Sequence, residues 1–404
     1  MLIGGFTRKP AVLLLGASLV AISLVALALS RLSTRDLNYT RKLSSPFAFF
    51  GDNIELSVQV NNDKPLPVDA LCQDEIDNVW RFLDKKLESH YLPYKAILPN
   101  EVHLGGYETV TRRYSLTCEK RGVFAFGPAA IRSQDPLGLY RETANDPKKD
   151  SIIVYPKTLP VNAEGLKDLY PFGDNPRASW LLQDPIFLKM MRPYQPQDPL
   201  KHVDWKATAR TGQLQTRVFD MAFGQRIMLC LNLVTLKNPW DGVDTNLFES
   251  LVTVASSVAL KLASSGFSVG LVSNGISMDR QGYHFVAECP PASGGKGLRN
   301  ILSCLAGLGY YTLEKLSPSA RRTAGSSSGA YKVVLAASFD RETRAVLRSA
   351  QGKSDTLLVL VHHDDGRRAP VTVPSDLEYS GPIIRASLKG GWENAQEVRL
   401  SRAI

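Results

Sequence analysis

Hydrophobic residues along this chain change period three times, and each change marks a different kind of structure. From Ala11 to Ser30 there is neither a charge nor a proline. A helix rising about 1.5 Å per residue needs roughly 20 such residues to cross the hydrocarbon layer, so a transmembrane helix is predicted over about 11–30. A cleaved signal peptide is the competing reading, but its apolar core is shorter, about 7 to 15 residues, and Ala28 to Ser30 resembles a cleavage site only weakly. Beyond the helix the period falls to two. Ile54, Leu56, Val58 and Val60 alternate with polar residues, Thr109 to Leu116 and Val123 to Ile131 are further strand candidates, and Arg121-Gly122 turns the chain between them. This pattern predicts an antiparallel β-sandwich over residues 36–155. Ile76, Val79, Trp80, Leu83 and Leu87 stand at helical spacing and predict one helical insertion over Asp74 to Leu87.

After Arg226 strands and helices alternate. Ile227 to Val234 is a continuous apolar run suited to a strand buried on both faces, and Leu247 to Ser264 follows as a long helix. Phe267 to Val272, Lys332 to Ala337 and Thr356 to His362 read as strands, Leu298 to Leu308 and Arg341 to Ala350 as helices, and Pro318 to Gly329 as a loop. Such alternation predicts a mainly parallel sheet covered by helices on both faces over 226–404. The fold class expected is therefore multidomain, α/β plus β. An N-terminal segment (1–35) carries the helix, and a connecting region (156–225) separates the sandwich from the α/β domain.

Within that connecting region, Arg192 to Phe219 is too rich in polar and aromatic groups for a plain core element. Asp198-Pro199 reads as a helix entry, and Leu200, Val203 and Ala207 would face inward from the helix while Lys201, Lys206 and Arg210 stay in water. Asp204 and Trp205 fall in the middle of this predicted helix, with Arg192 or Arg210 in range of the carboxylate. Gly212 ends it. The alternation of Leu214, Thr216 and Val218 with Gln213, Gln215 and Arg217 then predicts a strand.

Arg192, Tyr194, Asp198, Asp204, Trp205, Lys206, Ala209, Arg210, Gly212 and Leu214 together resemble the signature of the bacterial family called domain of unknown function 58 (DUF58). The glycine usual before the first Asp is Gln197 here. A second stretch, with Arg121-Gly122, Gly127-Pro128 and Asp135-Pro136-Leu137-Gly138-Leu139, is similar to the same family. The resemblance implies a membrane protein with a von Willebrand factor A-like, Rossmann-like α/β domain, acting with a MoxR-type AAA+ ATPase in assembly or maturation of other proteins. It also implies two adjacent spans, where a single one is visible here.

Charge and cysteine usage refine this picture. The formal net charge is +9. No basic stripe interleaved with aromatics accompanies it, so a nucleic-acid partner is not expected, and contact with anionic lipid accounts for the basic residues near the helix. Arg31, Arg35, Arg41 and Lys42 follow the span and only Arg8 and Lys9 precede it, which leans toward a cytoplasmic C-terminal body on a bacterial inner membrane. Cys72, Cys118, Cys230, Cys289 and Cys304 lack metal-ligand spacing, and an odd, scattered set suits a reducing compartment.

No constellation for catalysis emerges. The resemblance places Asn232, Val234 and Leu236 where von Willebrand A domains hold a divalent cation through Asp, Ser and Ser. Hard cations require charged oxygen ligands, so no metal site and no cofactor is expected. Thr235 and Asp241 are the side chains a shifted loop would recruit, and Asp340 reads as an N-cap. Gly294-Gly295-Lys296-Gly297 lacks the P-loop spacing and reads as a turn into a helix. His202 and Asp204 point to different sides of a helix, and His362-His363 with Asp364-Asp365 read as a solvated loop at a strand end. A membrane-anchored, non-enzymatic interaction scaffold is the function expected. The alternatives are a metal-dependent adhesion module and a hydrolase whose residues meet only in space.

Overall fold

The computed structural model describes residues 10–82, 85–134, 138–162, 183–195, 203–221, 226–236, 242–279, 282–284, 287–312, 330–348, 356–364, 374, 379 and 381–402. The chain divides into two compact units, Met1–Tyr155 and Pro156–Ile404.

The first unit begins with helix α1 (Pro10–Ser33), whose 24 residues include only one basic group, Arg31 in the last turn. It meets the length and hydropathy expected of a membrane span. Two sheets follow. One holds β1 (Leu37–Leu43), β3 (Asn53–Asn62), β8 (Thr109–Thr117) and β5 (Arg81–Phe82), in that order. The other runs β2 (Phe47–Phe49), β11 (Asp150–Tyr155), β9 (Gly122–Gln134), β4 (Val68–Asp77), β7 (Lys95–Leu104) and β6 (Glu88–Ser89), with β10 (Arg141–Asp146) paired to β9. Pairing is antiparallel except between β2 and β11. Inward residues of both sheets, among them Leu56, Val58, Cys72, Leu98, Phe126 and Ile131, form one core.

Among the described residues, no helix forms over Asp74 to Leu87. Val68, Ala70, Cys72, Asp74 and Ile76 point inward in strict alternation along β4, which pairs with β7 and β9 on its two sides. Trp80 lies beyond the strand, stacked on Phe126 and edge-on to Phe124. The inward Asp74 hid the two-residue period. Its carboxylate accepts from Arg41 Nη1 at 2.7 Å and from the Tyr39 hydroxyl at 3.0 Å, so the buried charge is paired and hydrogen-bonded. Burial still pushes its pKa up to about 6, against the pull of Arg41.

The second unit is built on an eight-stranded sheet. Its order is β12 (Val161–Asn162), β24 (Val398–Arg402), β23 (Ile383–Lys389), β22 (Thr356–Asp364), β21 (Tyr331–Ala336), β15 (Arg226–Leu231), β16 (Ser268–Ser273) and β19 (Ala287–Ala292). The five central strands are mutually parallel, whereas β19 and β24 run against their neighbours. Helix α3 (Thr245–Ser264) buries Phe248, Leu251, Val254, Val258 and Leu262 against the strands, and α4 (Gly294–Gly307) adds Ile301 and Leu305. A second cluster on the opposite face joins Met228, Cys230, Val334 and Leu358 to Val346 and Leu347 of α5 (Arg341–Arg348). Burial on both faces explains why β15 and β22 read as unbroken apolar runs. A short helix α6 (Gly391–Asn394), a three-stranded sheet of β17 (Gly275–Asp279), β18 (Gly282–His284) and β20 (Leu308–Thr312), and a hairpin of β13 (Gln183–Pro193) with β14 (Gln215–Met221) complete the unit. The loop expected over Pro318 to Gly329 lies outside the described residues.

Candidate functional site

Between β13 and β14 sits α2 (Trp205–Thr211), shorter than the sequence predicts. Val203 is extended and bridges Thr216, and Asp204 is extended too, with φ −93° and ψ 101°. Asp204 is thus the N-cap and not a mid-helix residue: its carboxylate accepts from the Ala207 amide at 2.9 Å, satisfying one of the first-turn donors. Gly212 closes the helix at φ +69°, a left-handed position that favours glycine, and donates its N–H to the Thr208 carbonyl. The helix is tied to β14, with Asp204 N–H donating to the Gln215 carbonyl at 2.9 Å and Gln215 N–H to Thr208 Oγ1 at 3.0 Å, while Tyr194 N–H donates to the Leu214 carbonyl at 2.8 Å and joins the two segments that flank it. Asp198, Leu200, Lys201 and His202 lie outside the described residues.

This clamp presents an unusual surface. No residue of α2 is buried, and Trp205 is 68% exposed. Trp205 and Ala209 are four apart, as are Lys206 and Arg210, so each pair shares a face of the helix, and all four side chains are exposed. Leu214 and Met191 on the flanking chain are each 44% exposed. Arg192 is half-buried and donates Nη1 to the Pro193 carbonyl at 3.2 Å. Of the signature residues described, only Asp204 is buried. The others described are at the surface or in turns, where packing does not require them.

A second cluster closes the carboxyl edge of the large sheet. Counting strands within that sheet from β15, the order is 3-2-1-4-5-6-7, and the direction in which successive strands are added reverses between the parallel neighbours β15 and β21; this is the switch point at which open α/β sheets bind ligands. Asn232 follows β15 there and is 1% exposed. Its Nδ2 donates to Asp340 Oδ1 at 2.9 Å and to Thr343 Oγ1 at 3.0 Å. Its Oδ1 accepts from Asn274 Nδ2 at 2.9 Å and from the Val234 amide at 3.2 Å, and Asn274 Oδ1 accepts from the Leu233 amide. Thus all four hydrogen-bonding positions of the Asn232 amide are filled. An N–H donor aims at the same Asp340 and Thr343 oxygens that a cation would need, so the donor set does not fit a metal ion. Val234 and Leu236 are half-buried without side-chain oxygens, Thr235 Oγ1 accepts from the Asp244 amide, and Asp241 lies outside the described residues. Among the described residues, no three His, Cys, Asp or Glu side chains converge to hold a metal.

Asp340 also caps α5, accepting from the Thr343 amide at 2.9 Å. Gly294 turns the chain into α4 at φ +73°, and Gly297 lies so close to Ala292 that a Cβ would meet its carbonyl oxygen at 2.6 Å. These glycines therefore serve helix packing. His362 and His363 are not in a loop: both belong to β22, in register with Ser387 and Leu388, and His362 is half-buried. All five cysteines are free, and burial pushes Cys72 and Cys230 up to about 12, which keeps those thiols protonated and unreactive. Asn274 and Thr343 were not singled out in the sequence, because nothing local distinguishes them; a Thr three residues after Asp340 was the only signal available.

Among solved structures, the chain resembles the alkylpurine DNA glycosylase AlkC of Pseudomonas fluorescens (13% identity, 32% of this chain and 35% of that one, TM-score 0.20). It also resembles the CARDB domain of the PF1109 protein from Pyrococcus furiosus (14% identity, 30% and 92%, TM-score 0.21). Neither likeness is close enough to carry an argument. The uncharacterized protein YeaD of Bacillus subtilis (strain 168) is 28% identical over 171 residues, 41% of this chain, and the match spans 40% of the relative's length. Residues 190–377, which begin just ahead of the capped helix and run past the end of β22, match the family described as protein of unknown function DUF58.

Proposed function

We propose that this protein is a membrane-anchored, non-enzymatic scaffold whose α2 surface docks a protein partner. The observation that carries this reading is the exposure of Trp205 on a helix capped at both ends and bonded to β14. An isolated exposed tryptophan costs little, but one held rigidly beside Lys206 and Arg210 has the composition of an interaction hot spot, where Trp and Arg are enriched. The DUF58 resemblance makes a MoxR-type AAA+ ATPase the partner to test first. The strand order of the large sheet supports a von Willebrand A-like fold. In this reading the Asn232 amide takes the place of the cation, bracing the loops around β15 and β21 as a fixed platform. Helix α1 anchors the chain in the bacterial inner membrane, and the basic residues after it favour a cytoplasmic body.

The test is binding of the full chain in lipid nanodiscs to the MoxR-type ATPase of the same genome. Trp205→Ala with Arg210→Ala leaves both caps of α2 intact. Loss of one hot-spot side chain at about 2 kcal/mol lowers affinity by about 30-fold, and loss of both, where the two add, by several hundred-fold, on the order of 4 kcal/mol. Unchanged affinity in a folded double variant removes this surface from the interaction.

A further inference from the structure

Strand β19 and helix α4 are joined through Ser293 alone, so the helix runs back along the strand that precedes it. The two are pressed together at the joined ends, where Gly297 leaves room for the Ala292 carbonyl. From that contact Cys289 lies three residues back along the strand, about 10 Å at about 3.3 Å per residue, and Cys304 lies seven residues on along the helix, about 10 Å at about 1.5 Å per residue. The register therefore sets the two cysteines opposite each other. Cys289 points inward in the alternation of β19, is 9% exposed, and donates its Sγ to the Asn300 carbonyl at 3.6 Å. Cys304, half-buried, stands one helical turn beyond Asn300. Helical side chains lean back over the preceding turn, which brings its sulfur to the place that Cys289 occupies. The two thiols are hydrogen-bonded to each other.

We propose that Cys289 and Cys304 are a hydroperoxide-sensitive dithiol, Cys289 reacting first and Cys304 closing a reversible disulfide with it. The Cys289 thiolate attacks the terminal oxygen of the hydroperoxide. An S–O bond forms, the O–O bond breaks, and the alkoxide, or hydroxide from hydrogen peroxide, leaves with the electron pair and takes a proton from water. Sulfur is oxidised by two electrons to the sulfenic acid as the peroxide is reduced. Cys304 Sγ, giving up its proton, then attacks the Cys289 sulfur and displaces the sulfenic oxygen as water. A reduced dithiol restores both thiols by exchange and takes the disulfide itself. The order of the two cysteines follows from their contact. The Cys304 S–H donated to the Cys289 sulfur pulls the Cys289 pKa below the ordinary thiol value against the effect of burial, and the same contact, with burial, pushes Cys304 well above it. The thiolate is the reacting form, so Cys289 is the nucleophile. Cys230, 1% exposed on the neighbouring part of the sheet, is pushed up to about 12 by burial and serves as an internal reference. Once formed, the disulfide ties the last strand of the eight-stranded sheet to the helix packed on it.

The test exposes the full chain in nanodiscs, reduced and then freed of reductant, to hydrogen peroxide for graded times. Remaining thiols are alkylated after denaturation and tryptic peptides are read by mass spectrometry; cleavage at Lys296 and Arg299 separates the two cysteines. Each pKa unit is about a factor of 10 in thiolate fraction, so the disulfide between Cys289 and Cys304 should form at least about 10-fold faster than Cys230 is oxidised, and dithiothreitol should reverse it. In Cys304→Ser, dimedone should trap a sulfenic acid at Cys289; in Cys289→Ser, Cys304 should stay reduced. The parent chain alone gives the first result, whatever the variants do to folding. Oxidation of the pair no faster than that of Cys230 overturns the proposal. So does passage of Cys289 to sulfinic acid while Cys304 stays reduced, or a disulfide from either one to Cys72, Cys118 or Cys230. Dimedone capture at Cys304 in Cys289→Ser overturns the order of reaction.

Discussion

Replacing Asn232 with Asp changes the buried NH₂ group that donates to both Asp340 and Thr343 into a carboxylate oxygen, with almost no change in size. In the native protein the Asn232 amide lies 2.9 Å from the Asp340 carboxylate. Two carboxylate oxygens at that separation repel by about 6 kcal/mol at an effective dielectric of about 20. Protonation or relaxation relieves part of this, so Asn232→Asp should destabilise the edge of the sheet by several kcal/mol in the presence of a chelator. The same change completes an oxygen set: two carboxylates and the Thr343 hydroxyl, a combination that Mg²⁺ or Ca²⁺ accepts. A cation at about 100 times its dissociation constant returns about 2.7 kcal/mol. Hydrogen exchange measured on peptides covering residues 227–236 reports this unit alone, without assuming that the whole chain unfolds in one step. Exchange in the variant should accelerate by about two orders of magnitude in chelator and slow again with millimolar Mg²⁺ or Ca²⁺, whereas the parent protein should be indifferent to both. The reasoning is refuted if the variant exchanges like the parent in chelator, because the amide then does not occupy the position that the hydrogen bonds assign to it.

Two further outcomes follow from other buried carboxylates. Asp204→Ala removes the α2 N-cap and should cost about 1 kcal/mol locally, seen as faster exchange at Ala207 to Thr211 with the large sheet unaffected; equal protection would show that the cap is dispensable. Asp74 has its pKa raised from 3.8 to about 6, so the folded first unit holds a proton that the unfolded chain has lost. Its contribution is fully present below about pH 4 and is lost as pH rises through about 6, a fall of about 2 to 3 kcal/mol. Urea midpoints of the first unit between pH 4 and 7 should show this fall in the parent protein and not in Asp74→Asn; parallel curves would contradict it.

Length and period by themselves placed the N-terminal apolar helix, the strands at Asn53, Thr109 and Val123, and the strand–helix alternation after Arg226, because burial on one face or both leaves its period in the order of residues. The same logic failed where a polar residue occupies a core position. Asp74 broke the alternation of β4, and only Arg41 and Tyr39, more than thirty residues away, make its burial tolerable. In the connecting region, the types of residue announced a cap and a stop, but which Asp is the cap depended on Val203 pairing with Thr216. Asn232 is the sharpest case. The sequence showed what it lacks as a metal ligand; what it does instead is set by Asn274 and Asp340, brought to it from the segments that follow β16 and β21 across 42 and 108 residues. Local periodicity is written in the chain, whereas the partner of a buried polar group is chosen by the order of strands in the sheet.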